Sequence, residues 1–149
     1  FRIWNLDEEK SAKEFNKKVF DKINEVFETN INIDEVYKEK PKNIRIARKI
    51  FFNFDEYFSW PSLENEIVSK TGFCYGLDSH FGILVNGDVI PCCLDQNACV
   101  KLGNTNSTQI EDILNSKRVL DIQKGFKNNI LVEELCQKCE YRTRFDKKD

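Results

Sequence analysis

The sequence predicts an α+β fold in which a β-hairpin and short helices gather around a four-cysteine metal or cluster site, with a strand–helix piece in front. Three observations predict it. First, all six cysteines lie within residues 74–139 of the 149, and Cys136-Gln137-Lys138-Cys139 is a turn that holds two thiolates close enough to grip one metal centre. Cys74 and Cys92, from a separate segment, complete a four-sulfur set that suits either a zinc tetrahedron or an iron–sulfur cluster. Second, Asn86-Gly87 between two apolar runs is the strongest short hairpin signal in the chain. Third, the N-terminal third carries an apolar stripe at helical spacing.

Taken in order, residues 1–6 alternate apolar and polar and read as a short strand. Ser11-Ala12-Lys13-Glu14 is a capping box. The helix it opens places Ala12, Phe15, Val19, Ile23 and Val26 on one stripe, broadened by Phe20 and Phe27. Residues 30–42 read as a connector with a short strand around 33–37. Ile44, Ile46, Ile50, Phe52 and Phe54 fall on even positions in a β-branched and aromatic stretch, which favours one or two strands. Phe51, Tyr57, Phe58 and Trp60 make that region apolar on both faces. It is expected to be an exposed patch, or a patch covered by a second copy of the chain in a homodimer.

Pro61-Ser62 opens a short helix to about residue 70. In the hairpin, a two-residue turn at Asn86-Gly87 sets Cys92 opposite Phe81 and Cys93 opposite His80. Cys92 and Cys93 then point to opposite faces, and only one can share a centre with Cys74. A one-residue slip swaps the two, so Cys93 is the alternate to Cys92. Thr108-Gln109-Ile110-Glu111 is a second capping box, and a further helix with Val119, Leu120, Ile122 and Phe126 starts near Ser116. The domain reading is 1–70 and 71–149.

Composition narrows the function. A net charge of −2 from 23 basic and 25 acidic residues gives no field for nucleic acid or an anionic membrane. The apolar runs are too short to span a bilayer. No signal peptide opens the chain, so a cytoplasmic location is expected and metal or redox use explains six cysteines better than disulfides. A start at Phe1 without Met suggests a missing N-terminal part. There is no Ser/His/Asp arrangement, no carboxylate pair and no Gly-rich phosphate loop to support a hydrolase or nucleotide site.

Residues 73–145 resemble the C-terminal SPASM/twitch auxiliary domain of radical S-adenosylmethionine (radical SAM) enzymes. The resemblance rests on Cys74-Tyr75-Gly76-Leu77, on Gly87-Asp88-Val89-Ile90-Pro91-Cys92-Cys93-Leu94-Asp95, and on Leu102-Gly103-Asn104. It continues through Ile110-Glu111-Asp112-Ile113-Leu114-Asn115-Ser116 and Cys136-Gln137-Lys138-Cys139-Glu140-Tyr141-Arg142. About half the chain is covered, and residues 1–70 look more loosely like the last element of a partial (β/α) barrel with its connector.

The resemblance implies one auxiliary [4Fe–4S] cluster on Cys74, Cys92, Cys136 and Cys139, because no further cysteines follow Cys139. It implies electron transfer or substrate positioning beside a barrel that modifies a peptide or protein. The family's Cys-x3-Cys-x2-Cys motif is absent, so S-adenosylmethionine and a second [4Fe–4S] cluster would belong to a missing N-terminal barrel, the expected partner. The chain should be inactive alone. The alternative is a zinc-stabilised interaction module without catalysis. Cys99 reads as a partly buried or free thiol, His80 as structural, and Arg142 and Arg144 as solvated surface arginines rather than groups that neutralise a cluster.

Overall fold

The apolar residues sort into two separate cores, and the chain divides with them into Phe1–Tyr57 and Phe58–Asp149. The computed structural model describes residues 1–4, 6, 12–55 and 57–146.

The first unit contains β1 (Arg2–Ile3), α1 (Ala12–Phe27), α2 (Ile33–Glu39), β2 (Asn43–Ala47) and β3 (Ile50–Phe54). Its sheet runs β1-β3-β2, with β1 parallel to β3 and β2 antiparallel. The sheet is thus mixed, whereas the strands of a (β/α) barrel are parallel throughout. The even-position alternation of the sequence sends Ile46, Phe52 and Phe54 inward, where Phe20 of α1 packs 5.0 Å from Phe52 and 5.8 Å from Phe54 between ring centroids. Of the aromatic stretch, Phe52 and Phe54 are buried, while Phe51, Tyr57 and Trp60 are exposed.

Two expectations for this unit are corrected. The buried face of α1 is Ala12, Asn16, Phe20 and Ile23, with Val19 and Phe27 at its edge, while Phe15 and Val26 face outward. The stripe is rotated because Asn16 is admitted to the core: its Nδ2 donates to Tyr37 Oη at 2.9 Å, which offsets the cost of burying an amide. The segment 33–37 belongs to helix α2, not a strand. Asn32 Oδ1 accepts from the backbone N–H of Asp34 at 2.9 Å and of Glu35 at 3.4 Å, and Lys40 closes the helix in the left-handed region at φ 44°. Asp34 and Glu35 also suit the positive end of the helix. The first capping box begins at Ser11, which lies outside the described residues.

The second unit contains β4 (Gly82–Ile83), β5 (Asp88–Ile90), β6 (Gly103–Asn104), α3 (Ile110–Leu114), α4 (Lys117–Lys127), α5 (Glu134–Gln137) and a 3₁₀ turn, Tyr141–Phe145. The antiparallel sheet runs β4-β5-β6. Ser116 caps α4 by accepting from Val119 N, and the helix buries Val119, Ile122, Gly125 and Phe126. These pack with Leu77, Val100, Leu131 and Leu135 as the second core.

The hairpin forms, but one residue out of the expected register. Gly82 pairs with Ile90 and Ile83 with Val89. Leu84 N donates to Asp88 O at 2.9 Å, so the loop is the three residues Val85, Asn86 and Gly87, with Gly87 at φ 86°. A two-residue turn would have left the Asp88 side chain elsewhere. Here Asp88 is buried and accepts from Asn86 Nδ2 at 3.0 Å and Asn104 Nδ2 at 2.7 Å, with Lys101 Nζ at 2.5 Å. That polar knot fixes the longer loop. β5 stops at Ile90 before Pro91, so Cys92 and Cys93 follow the strand instead of lying on its two faces.

Two further elements differ. Residues 61–70 form a strap without a helix, because their donors are used elsewhere: Val68 N and Ser69 N both donate to Gln137 O, at 2.9 and 3.1 Å. The N-cap of α3 is Gln109, with no side-chain capping bond, so the Thr108 box is not made. The strap lies in the second unit, where Trp60 Nε1 donates to Leu94 O at 3.0 Å.

The Phe20–Phe52–Phe54 contact carries the first core. Phe52→Ala should destabilise that unit by about 3–5 kcal/mol, measured by chemical denaturation; a change below about 1 kcal/mol would refute the packing described.

Candidate metal centre

Three chain segments bring sulfur to one place in the second unit. Cys74 lies between the strap and β4, Cys92 just after β5, and Cys136 and Cys139 on α5 and the turn after it. All four line one partly open cavity of about 70 Å³, together with Cys93. That is several times the ~10–15 Å³ that one water requires. The Cys74 and Cys92 loops approach closely at Gly76: a Cβ there would sit 3.7 Å from both Cys74 Sγ and Cys92 Cβ and 3.1 Å from Pro91 O. The knuckle is anchored by the strap through Gln137 O, and Gln137 Nε2 donates to Leu131 O at 2.8 Å. Lys138 Nζ also donates to Leu63 O, and Ser59 N to Glu140 Oε2 at 2.5 Å.

The loops present backbone N–H groups to three of the thiols. Gly76 N donates to Cys74 Sγ at 3.4 Å, joined by Tyr75 N. Leu94 N serves Cys92, and the amides of Arg142 and Tyr141 serve Cys139. Such donors lower the cost of a thiolate. Burial dominates nevertheless. Desolvation pushes the Cys92 thiol up to about 11, with Cys74, Cys139 and Cys93 adding to the rise. Desolvation likewise raises Cys74, Cys136 and Cys139, and neighbouring thiols add to the rise at Cys136 and Cys139. Arg142 works in the opposite direction on Cys74 and Cys139. All six cysteines are free thiols. Among the described residues, no group of three or more His, Cys, Asp or Glu side chains is arranged as a metal-ion site.

Residues 74–140 match the family model of the SPASM iron–sulfur cluster-binding domain. This segment is similar to the SPASM domain. No curated protein and no solved structure matches the chain.

The SPASM domain binds iron–sulfur clusters, and the residues present fit such a group. Sulfur donors from three loops face one cavity, three of them already hydrogen-bonded as a thiolate requires. One buried donor, Arg142 Nε, has no partner. Cys92 is half-buried and Cys93 exposed, although both reach the cavity. Cys99 is exposed and lies outside the cavity lining, on a turn held by Asp95, whose carboxylate accepts from Cys99 N at 2.7 Å and Val100 N at 2.8 Å. His80 lines the cavity but is exposed, its Nδ1 3.0 Å from Ser79 Oγ.

The reading of Arg142 as solvated is corrected. Arg142 is 2% exposed and lines the thiol cavity. Arg144 lies over the rings of Phe58, at 5.2 Å, and Tyr141, at 4.8 Å. Position after a Cys-x2-Cys turn carried no signal for burial of Arg142; the space left by Gly72 was the available clue, since a Cβ there would collide with the guanidinium.

The raised thiols have a consequence for the metal-free chain. A folded pKa above the ordinary 9.0 means that stability is fully present below pH 9 and is lost as pH rises through about 11. The loss from Cys92 alone should be on the order of 2 kcal/mol. Melting of metal-free protein at pH 8 and pH 10.5 checks this, and an unchanged or higher Tm at the upper pH would contradict it. Alkylation of the same protein should modify Cys93 and Cys99 first; equal rates at Cys136 would contradict its burial.

Proposed function

We propose that this SPASM-like segment holds one [4Fe–4S] cluster through Cys74, Cys92, Cys136 and Cys139, and serves as the auxiliary-cluster region of a radical SAM enzyme acting on a peptide or protein. The observation that carries the reading is that four thiols from three segments line one cavity inside a segment matching a cluster-binding family. Cys92 is favoured over Cys93 by its partial burial and by the N–H it receives from Leu94.

A cluster is favoured over a single zinc ion by the family match: four thiolates alone suit either centre, whereas residues 74–140 match an iron–sulfur cluster-binding family. When bound, the cluster would supply one-electron transfer. The chain's own residues do the rest. The amides of Gly76, Leu94 and Tyr141 stabilise the thiolates, while Leu135, Pro91 and Tyr141 limit water at the sulfurs.

These residues have no Cys-x3-Cys-x2-Cys motif, so S-adenosylmethionine and a second cluster would belong to an N-terminal radical SAM barrel outside them. The first unit, with its parallel β1–β3 pair, is the part proposed to lie towards that barrel.

Anaerobic reconstitution tests the reading. Brown protein with about four iron and four sulfide per chain is expected. Cys136→Ala or Cys139→Ala should lose most of that iron, and Cys99→Ala should keep it. A colourless chain with one tightly held zinc would overturn the cluster assignment. Loading should also slow amide exchange across residues 74–140, because metal-site binding energy is folding energy, on the order of 10 kcal/mol for structural zinc sites. Equal protection in wild type and Cys139→Ala would show that the site is not structural.

A further inference from the structure

We propose that Arg142 sets the reduction potential of the cluster held by Cys74, Cys92, Cys136 and Cys139, as a buried cation whose unpartnered Nε–H is available to a sulfur of that centre and whose charge is balanced by Asp146. The inference rests on the cluster reading above.

Arg142 heads the fully buried large side chains of the chain. Burying a guanidinium costs several kcal/mol unless its charge and donors are satisfied. Asp146 Oδ1 accepts from Nη1 at 2.7 Å, but Asp146 is itself half-exposed, and Nε has no partner. An orphaned buried donor in a native site points to an acceptor that belongs there. Arg142 lines the thiol cavity, its backbone N–H reaches the Cys139 sulfur, and its charge acts on both Cys74 and Cys139. Among the described residues, no carboxylate lines that cavity, and Arg142 is its one permanently charged side chain.

The backbone makes room for this cation. Gly72 sits at φ 142°, and a Cβ on it would run into Arg142 Nη1 and Cζ. A side chain at that position would displace the guanidinium from the place it occupies beside Asp146.

A four-thiolate cluster is anionic, and one-electron reduction adds a further negative charge. A cation beside it therefore favours the reduced form, as does a hydrogen bond to its sulfur. Asp146 opposes the cation from the other side, so the two residues should move the potential in opposite directions.

The test uses the full chain, reconstituted anaerobically, with iron and sulfide counted first. Dithionite titration with redox mediators then follows the paramagnetic signal of the reduced cluster. Arg142→Gln should lower the midpoint so that the reduced-to-oxidised ratio at the wild-type midpoint falls about tenfold, which is 59 mV for one electron. Arg142→Lys should recover part of that shift, and Asp146→Asn should raise the midpoint. If Arg142→Gln does not fold or load, Asp146→Asn decides, because Asp146 is half-exposed and outside the ligand set. A loaded Asp146→Asn chain with an unchanged or lower midpoint, or a loaded Arg142→Gln chain with the wild-type midpoint, overturns the proposal. Failure of the wild-type chain to take up iron and sulfide would instead overturn the cluster reading.

Discussion

Val119, Ile122 and Phe126 of α4 are buried against Leu77, Val100, Leu131 and Leu135, and the segments bearing Cys74 and Cys136 lean on that contact. Cys74 and Cys136 pack at its edge, so the thiols are positioned by an apolar core before any metal is considered. Each large aliphatic or aromatic side chain buried there contributes about 1.5–3 kcal/mol relative to exposure. The arrangement has a cost. The same apolar surroundings that position the sulfurs hold them in the neutral thiol form, and only a group bringing positive charge converts them to ligands. Platform and cofactor are therefore complementary: the core supplies position, and the centre supplies the charge that makes the position useful.

Much of the second unit was legible in the sequence because its signals are local. The Cys-x2-Cys turn, the Ser116 cap with the apolar stripe of α4 and the existence of the Asn86-Gly87 hairpin all depend on residues within a turn or two of one another. The hairpin register was not legible. It is decided by Asp88, whose partners Lys101 and Asn104 lie on other segments. The strap over residues 61–70 failed as a helix for the same reason, since its backbone donors are claimed by Gln137 O far along the chain.

In the first unit the errors have two origins. The helical period of α1 was read correctly, but hydrophobicity alone could not foresee that Asn16 would enter the core with Tyr37 while Phe15 faced solvent. For α2, the β-branched residues Ile33 and Val36 suggested a strand, whereas the Asn32 cap outweighed a propensity difference of a few tenths of a kcal/mol per residue. Arg142 is the most consequential miss. An arginine after a knuckle reads as solvated, and only its distant neighbours Gly72 and Asp146 place it inside.

The extent of the strap separates two definitions of this domain. The family unit runs from 74 to 140, whereas the folded unit begins at Phe58 and extends past it to include Arg142. A chain trimmed to the family boundaries would keep all four ligand candidates and still lose what presents them. The Trp60 tie to Leu94 and the Val68 and Ser69 clasps on Gln137 would go, and so would the amides that face Cys139. Expression of the minimal segment would then yield sulfurs without scaffolding, prone to cross-linking in air. Preparations meant to retain the centre should therefore be delimited by packing and not by sequence similarity.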